Sequence, residues 1–187
     1  HVKGEYQTSN GETKAYKAAD SDLLAWVHIA FTDSFLTTHE LYGAEEIPGG
    51  SDEYVSQWSK SVAPLGLTTA PMSRAELKRE IKRYRDEGIL GTSETTKRVV
   101  EFIRKPPLSK TALLAYDRMF DGAVASIPAE FQEMLGLKGK SLKVAGPITR
   151  GILTSLRMAL GPASPMEEAA IARLIRIGEL PVDYVVS

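Results

Sequence analysis

The chain contains no cysteine. That removes disulfide frameworks, zinc fingers, thiolate-bound haem, iron–sulfur clusters and cysteine nucleophiles together. It also fits a reducing compartment, so a cytoplasmic location is the expectation. An excess of one charge is lacking too, since 23 Lys and Arg stand against 24 Asp and Glu, leaving −1. Such a balance creates no global field for nucleic acid or for an anionic membrane. Long apolar runs are missing: the longest uncharged stretch, Ser61 to Ser73, is broken by Pro64 and Pro71. A bilayer-spanning helix needs about 20 apolar residues, so no transmembrane segment is expected. The first residue is His1 rather than Met, and any leader preceding it would be invisible here.

Several catalytic motifs are absent as well. No G-x-S-x-G elbow, H-E-x-x-H or G-x-G-x-x-G occurs, and there is no pair of Glu-x-x-His motifs for a carboxylate-bridged di-iron bundle. Gly139-Lys140-Ser141 looks like the end of a phosphate loop, but Met134 stands where that loop needs glycine. Without that glycine the backbone N–H groups cannot converge on phosphate.

What is present is a succession of helical patterns in 187 residues, enough for one domain with an apolar core. Asn10-Gly11 between Tyr6 and Tyr16 suits a short N-terminal hairpin. From Asp20, a capping residue, Leu24, Val27, His28, Phe31, Phe35 and Tyr42 recur at helical spacings as far as Gly43. A second helix is predicted from Ser51 or Asp52 through Val55 and Trp58. A third opens at the capping box Ser73-Arg74-Ala75-Glu76 and buries Leu77, Ile81 and Tyr84. Ser93 begins a fourth, with Val99, Phe102 and Ile103 inward, ended by Pro106-Pro107. Leu113 to Phe120 and Phe131 to Leu135 suggest two more. Leu142 to Leu160 is predicted helical with an interruption at Gly146-Pro147. Ser164-Pro165-Met166-Glu167 marks the start of the last. The fold class is all-α, about eight helices in a single domain over residues 1–187.

Arg74, Lys78, Lys82 and Arg85 form a basic stripe on the third helix. A phosphate-binding face is one reading. A solvated face moderated by Glu76, Glu80 and Glu87 is the one we prefer, and no nucleic-acid partner is expected. The three histidines are more telling. His28 lies within an apolar helical face, as a core residue or a site residue. His39 follows eleven residues later, about 16 Å along the same helix, too far to share a metal ion with it. No metal site is therefore assigned.

Val2-Lys3-Gly4, Tyr16-Lys17-Ala18-Ala19-Asp20 and above all Leu23-Leu24-Ala25-Trp26-Val27-His28 resemble the MpaB-like oxygenase family, which includes the latex-clearing proteins (rubber oxygenases). Asp33-Ser34, Gly66-Leu67, Pro71 to Leu77, Lys105-Pro106-Pro107-Leu108, Pro128, Leu135-Gly136 and Leu160-Gly161-Pro162 continue the resemblance in order. It implies an all-α oxidoreductase that binds b-type haem, activates dioxygen and acts on a small apolar or isoprenoid substrate. The family's haem-ligating histidine precedes the valine of a His-x-x-Val-(Arg/Lys) motif. With Val2 as that valine, the matching position falls just before His1, so His1 stands near the ligand position and no catalytic residue is assigned within the chain. The resemblance thus implies the C-terminal larger part of a catalytic domain, completed by an N-terminal portion of the same protein. Trp26, His28, Phe31 and Phe35 are its candidate pocket residues. The alternative is a non-catalytic all-α module that binds an apolar ligand or a protein partner.

Overall fold

The structure, a computed structural model, describes residues 3–8, 11–161 and 165–184. It is 63% helical, with eight α-helices and one two-stranded hairpin. Strands β1 (Lys3–Gln7) and β2 (Thr13–Lys17) pair antiparallel, Gly4 opposite Tyr16 and Tyr6 opposite Lys14. The expected hairpin is therefore present, with a longer loop than a two-residue turn. Thr8 Oγ1 accepts from the Glu12 N–H, and Gly11 takes φ +79°; Asn10 lies outside the described residues. Gly4 lets the Tyr16 ring lie against the backbone, because a Cβ there would sit 2.7 Å from its Cε1.

The helices are α1 (Ser21–Tyr42), α2 (Gly50–Ser59), α3 (Arg74–Asp86), α4 (Glu94–Arg104), α5 (Lys110–Ser126), α6 (Ala129–Met134), α7 (Leu142–Leu160) and α8 (Pro165–Arg176). Caps fall largely where the sequence places them, with informative departures. Asp20 precedes α1, but its Oδ2 accepts from the Lys17 N–H (2.7 Å) and closes the chain leaving the hairpin. Ser73 Oγ accepts from the Glu76 N–H, as a capping box requires. The Glu76 carboxylate reaches past Ser73 and accepts from the Met72 N–H instead (2.8 Å). At α4 the box is complete between Ser93 and Thr96. The cap proposed at Ser164 lies outside the described residues.

Two expectations fail. Val99, Phe102 and Ile103 of α4 are not inward but 51%, 66% and 48% exposed. Amphipathic spacing identifies an apolar face without saying what covers it. Nor does Gly146-Pro147 interrupt α7, which is helical throughout. Pro147 is the sixth residue of α7; its missing N–H forfeits one bond, that to the Lys143 carbonyl, and the rest of the helix continues through it.

Spatial contacts divide the chain into two units, residues 1–149 and 150–187. In the first, Leu36 (α1), Val55 (α2) and Leu77 (α3) have no exposed surface and form the core with Ile29 and Tyr84. Each such buried aliphatic is worth about 1.5–3 kcal/mol. A polar clamp joins the same three helices: Arg74 Nη2 pairs with Glu40 at 2.7 Å, Ser51 Oγ donates to Glu40, and Asp52 accepts from the Arg74 N–H. Asp33 of α1 is half-buried beside this clamp. Burial pushes its carboxyl above the ordinary value of 3.8, against the pull of Arg74 and Lys78, while Glu40 adds to the rise. Helix α5 is held to α1 by Tyr42, whose hydroxyl donates to the Gly122 carbonyl (2.8 Å). Gly122 also faces Thr149, and a Cβ there would lie 2.1 Å from Thr149 Oγ1. The cations of α3 are laced to acids, Arg83 to Glu80 and Glu87 and Arg85 to Asp86 and Glu130. In the second unit Ile171 and Ile175 of α8 are half-buried, whereas Leu174 and Ile177 are exposed.

Gly122→Ala is expected to cost about 1–3 kcal/mol by overpacking, and Thr149→Ala in the same chain should recover part of that loss in a denaturant titration. Asp33 supplies a second expectation. The folded state holds its proton more tightly than the unfolded chain, so the stability it contributes is lost as pH rises from 3.8 through the raised value. Asp33→Asn should accordingly raise the denaturation midpoint at pH 7 and change it little at pH 3; an equal or lower midpoint at pH 7 would refute the assignment.

Candidate functional site

At about 100° per residue, a 22-residue helix presents several distinct faces, and α1 uses them differently. Ile29, Thr32 and Leu36 fall on the core side, with Thr32 Oγ1 donating to the His28 carbonyl (2.7 Å). Val27, Phe31 and Phe35 fall along an adjoining edge and are 46%, 54% and 51% exposed. His28 sits at the border between the two and is 5% exposed.

Trp58 of α2 closes this border. Its ring stacks on Phe35 at 5.8 Å and meets the His28 imidazole edge-on at 6.2 Å, and Phe35 in turn stacks on Phe31 at 5.8 Å. Three aromatic side chains thus make a continuous apolar wall beside a buried imidazole. His28 Nε2 is buried without a hydrogen-bond partner, a costly state for a polar atom. Burial lowers the pKa of His28 below 6.5, so the ring is neutral at pH 7.

The predicted site residues therefore do not all gather. His28, Phe31 and Phe35 come together, with Trp58 as the member that sequence reasoning had assigned only to its helix. Trp26, two residues before His28, points to a different side of α1. It packs on Tyr84 with ring centres 5.0 Å apart and lines a separate groove of about 1160 Å³ beneath the hairpin, together with Tyr6 and Tyr16. His39 Nε2 donates to the Glu45 carbonyl (2.9 Å). His1 lies outside the described residues. Among the described residues no group of three or more His, Asp or Glu is gathered to hold a metal ion, and no helix is long and apolar enough to cross a membrane.

Tested against the haem that the resemblance implies, these residues suit one part of the requirement. Phe31, Phe35 and Trp58 offer the flat apolar contact a macrocycle needs. His28 Nε2 is closed in and His39 Nε2 is engaged, so neither of these two nitrogens is open as an axial ligand.

A family model described as "ER-bound oxygenase mpaB/B'/Rubber oxygenase, catalytic domain" matches residues 1–158. No curated protein and no solved structure matches the chain. The matched span contains α1, α2 and the whole aromatic wall.

The lowered His28 pKa fixes a pH dependence. The unfolded chain takes up this proton at about 6.5 and the folded one only at lower pH, so stability is lost as pH falls below 6.5. His28→Leu is expected to flatten that part of the denaturation-midpoint profile; an undiminished slope would place the effect elsewhere.

Proposed function

Because the chain belongs to the mpaB/rubber-oxygenase catalytic-domain family, we propose that it forms the C-terminal larger part of a haem-dependent oxygenase domain acting on an apolar, isoprenoid-like substrate. The supporting observation is the juxtaposition of His28 with the wall of Phe31, Phe35 and Trp58. When bound, b-type haem supplies the redox chemistry of dioxygen activation. The part of these residues is different. Phe31, Phe35 and Trp58 exclude water and orient an apolar surface. The neutral His28 ring keeps a polar nitrogen in reserve behind them, where it can turn a hydrogen bond toward whatever completes the pocket. The axial ligand is assigned to none of these residues.

The closed state of His28 Nε2 favours a second reading, an apolar-ligand module without redox chemistry. Absorption spectra of the full-length protein after haem-supplemented expression separate the two. The first reading predicts a Soret band, with His28→Ala shifting it or lowering haem affinity about 10-fold or more, as outer-shell substitutions do, while the helical circular dichroism persists. A spectrum with only the 280 nm band decides for the second.

A further inference from the structure

The groove of about 1160 Å³ beneath the hairpin has a lining of its own kind. In the β1–β2 register Gly4 stands opposite Tyr16 and Tyr6 opposite Lys14, so strand alternation puts both tyrosine rings on one face of the hairpin. The two rings meet edge-on at 6.3 Å, and both line the groove. Trp26 of α1 and Tyr84 of α3, ring centres 5.0 Å apart, line it as well, and Ile89 and Leu90 add aliphatic surface.

One cation already uses these rings. The Arg83 guanidinium lies over Tyr84, its Cζ 4.6 Å from the ring centre, and its charge is met by Glu80 at 2.9 Å and Glu87 at 3.0 Å. Lys14 borders the groove 3.9 Å from Glu12. Three bordering carboxylates, Glu5, Asp20 and Asp22, enter no ion pair among the described residues. Two cations, Lys14 and Arg83, against four carboxylates leave the lining at −2. The Asp22 carbonyl accepts from the Tyr84 hydroxyl (3.1 Å). Burial raises the Tyr84 phenol above its ordinary 10.0, Arg83 opposes the rise and the Asp22 charge adds to it, so the Asp22 carboxylate acts at the Tyr84 end of the groove.

The geometry points to a binding groove for an organic ammonium cation with an apolar body, its head among the aromatic rings beside Asp22 and its body along Ile89 and Leu90. Aromatic faces attract cations through the ring quadrupole, and Trp and Tyr do so best. Carboxylates beside a partly desolvated cation act at lower dielectric than they would in open water. A neutral apolar ligand would use the rings and leave the unpaired acids without a partner, and an anion would meet a lining of net negative charge. The inference does not rest on the catalytic reading, whose aromatic wall lies on another side of α1.

Choline is the probe, followed through the indole N–H resonances of the 187-residue chain, whose two tryptophans serve as site and control. Choline should shift the Trp26 resonance and leave that of Trp58, in the wall beside His28, unmoved; Trp58→Phe assigns the pair. Dimethylbutanol, the neutral carbon isostere of choline, should shift neither over the same concentrations. Asp22→Asn should weaken choline binding about fivefold, and Tyr6→Leu about threefold or more. Asp22 is exposed and Tyr6 half-buried, so the helical circular dichroism is expected to persist in both variants. Phosphocholine, which adds an anionic phosphate to the same head, should bind less tightly than choline. No shift at Trp26, an equal response to dimethylbutanol, or unchanged affinity in Asp22→Asn would each overturn the proposal. Tighter binding of phosphocholine would overturn it too, by assigning the groove to a zwitterionic headgroup.

Discussion

Leu36, Val55 and Leu77 meet where α1, α2 and α3 come together, and none of the three exposes any surface. Their mutual burial sets the rotation of α1 about its own axis. Once Leu36 is inward, Phe31 and Phe35 must fall on the neighbouring edge, and His28 must fall between core and edge. Side chains on a helix cannot be re-aimed one at a time. The position of the imidazole is thus a consequence of packing three turns of helix, and any change that rolled α1 would move the whole wall with it.

The polar clamp serves the same end from outside the core. Arg74, Glu40, Ser51 and Asp52 link the three helices through charge-assisted bonds at 2.7–2.8 Å, which have direction where apolar packing has none. Tyr42 and Gly122 repeat the arrangement between α1 and α5, with a hydroxyl that selects one carbonyl. Against this, His28 Nε2 and Asp33 are both held where burial disfavours them. Unpartnered buried polar atoms also occur at Arg74 Nη1 in α3 and Thr149 Oγ1 in α7, so His28 is distinguished by the aromatic wall beside it.

How much of this can be read without coordinates depends on the kind of signal. The number and class of elements are legible, because hydrophobic period and caps such as Ser73 and Ser93 are local properties. The membership of the site is legible only in part. His28, Phe31 and Phe35 share one helix, so spacing relates them, whereas Trp58 reaches them by folding of α2 against α1, for which no local pattern exists. Trp26 shows the converse: its nearness in sequence to His28 suggested a shared pocket, yet two residues on a helix are about 200° apart. Period alone also assigned Val99, Phe102 and Ile103 to the interior. A 3.6-residue repeat is identical for a face turned to a core and for one turned elsewhere, and only the exposure of those side chains in the folded chain distinguishes them.

The central claim is that core packing holds a neutral imidazole, its Nε2 unpartnered, behind a partly exposed aromatic wall. The most direct measurement is the ¹⁵N resonance titration of histidine-labelled protein, with His28 assigned by His28→Gln. The account predicts ring nitrogens characteristic of the neutral form at pH 6.5, with a titration midpoint below that value and a protonation-sensitive Nε2 shift reporting no strong hydrogen bond. A His28 midpoint at or above 6.5 would contradict it.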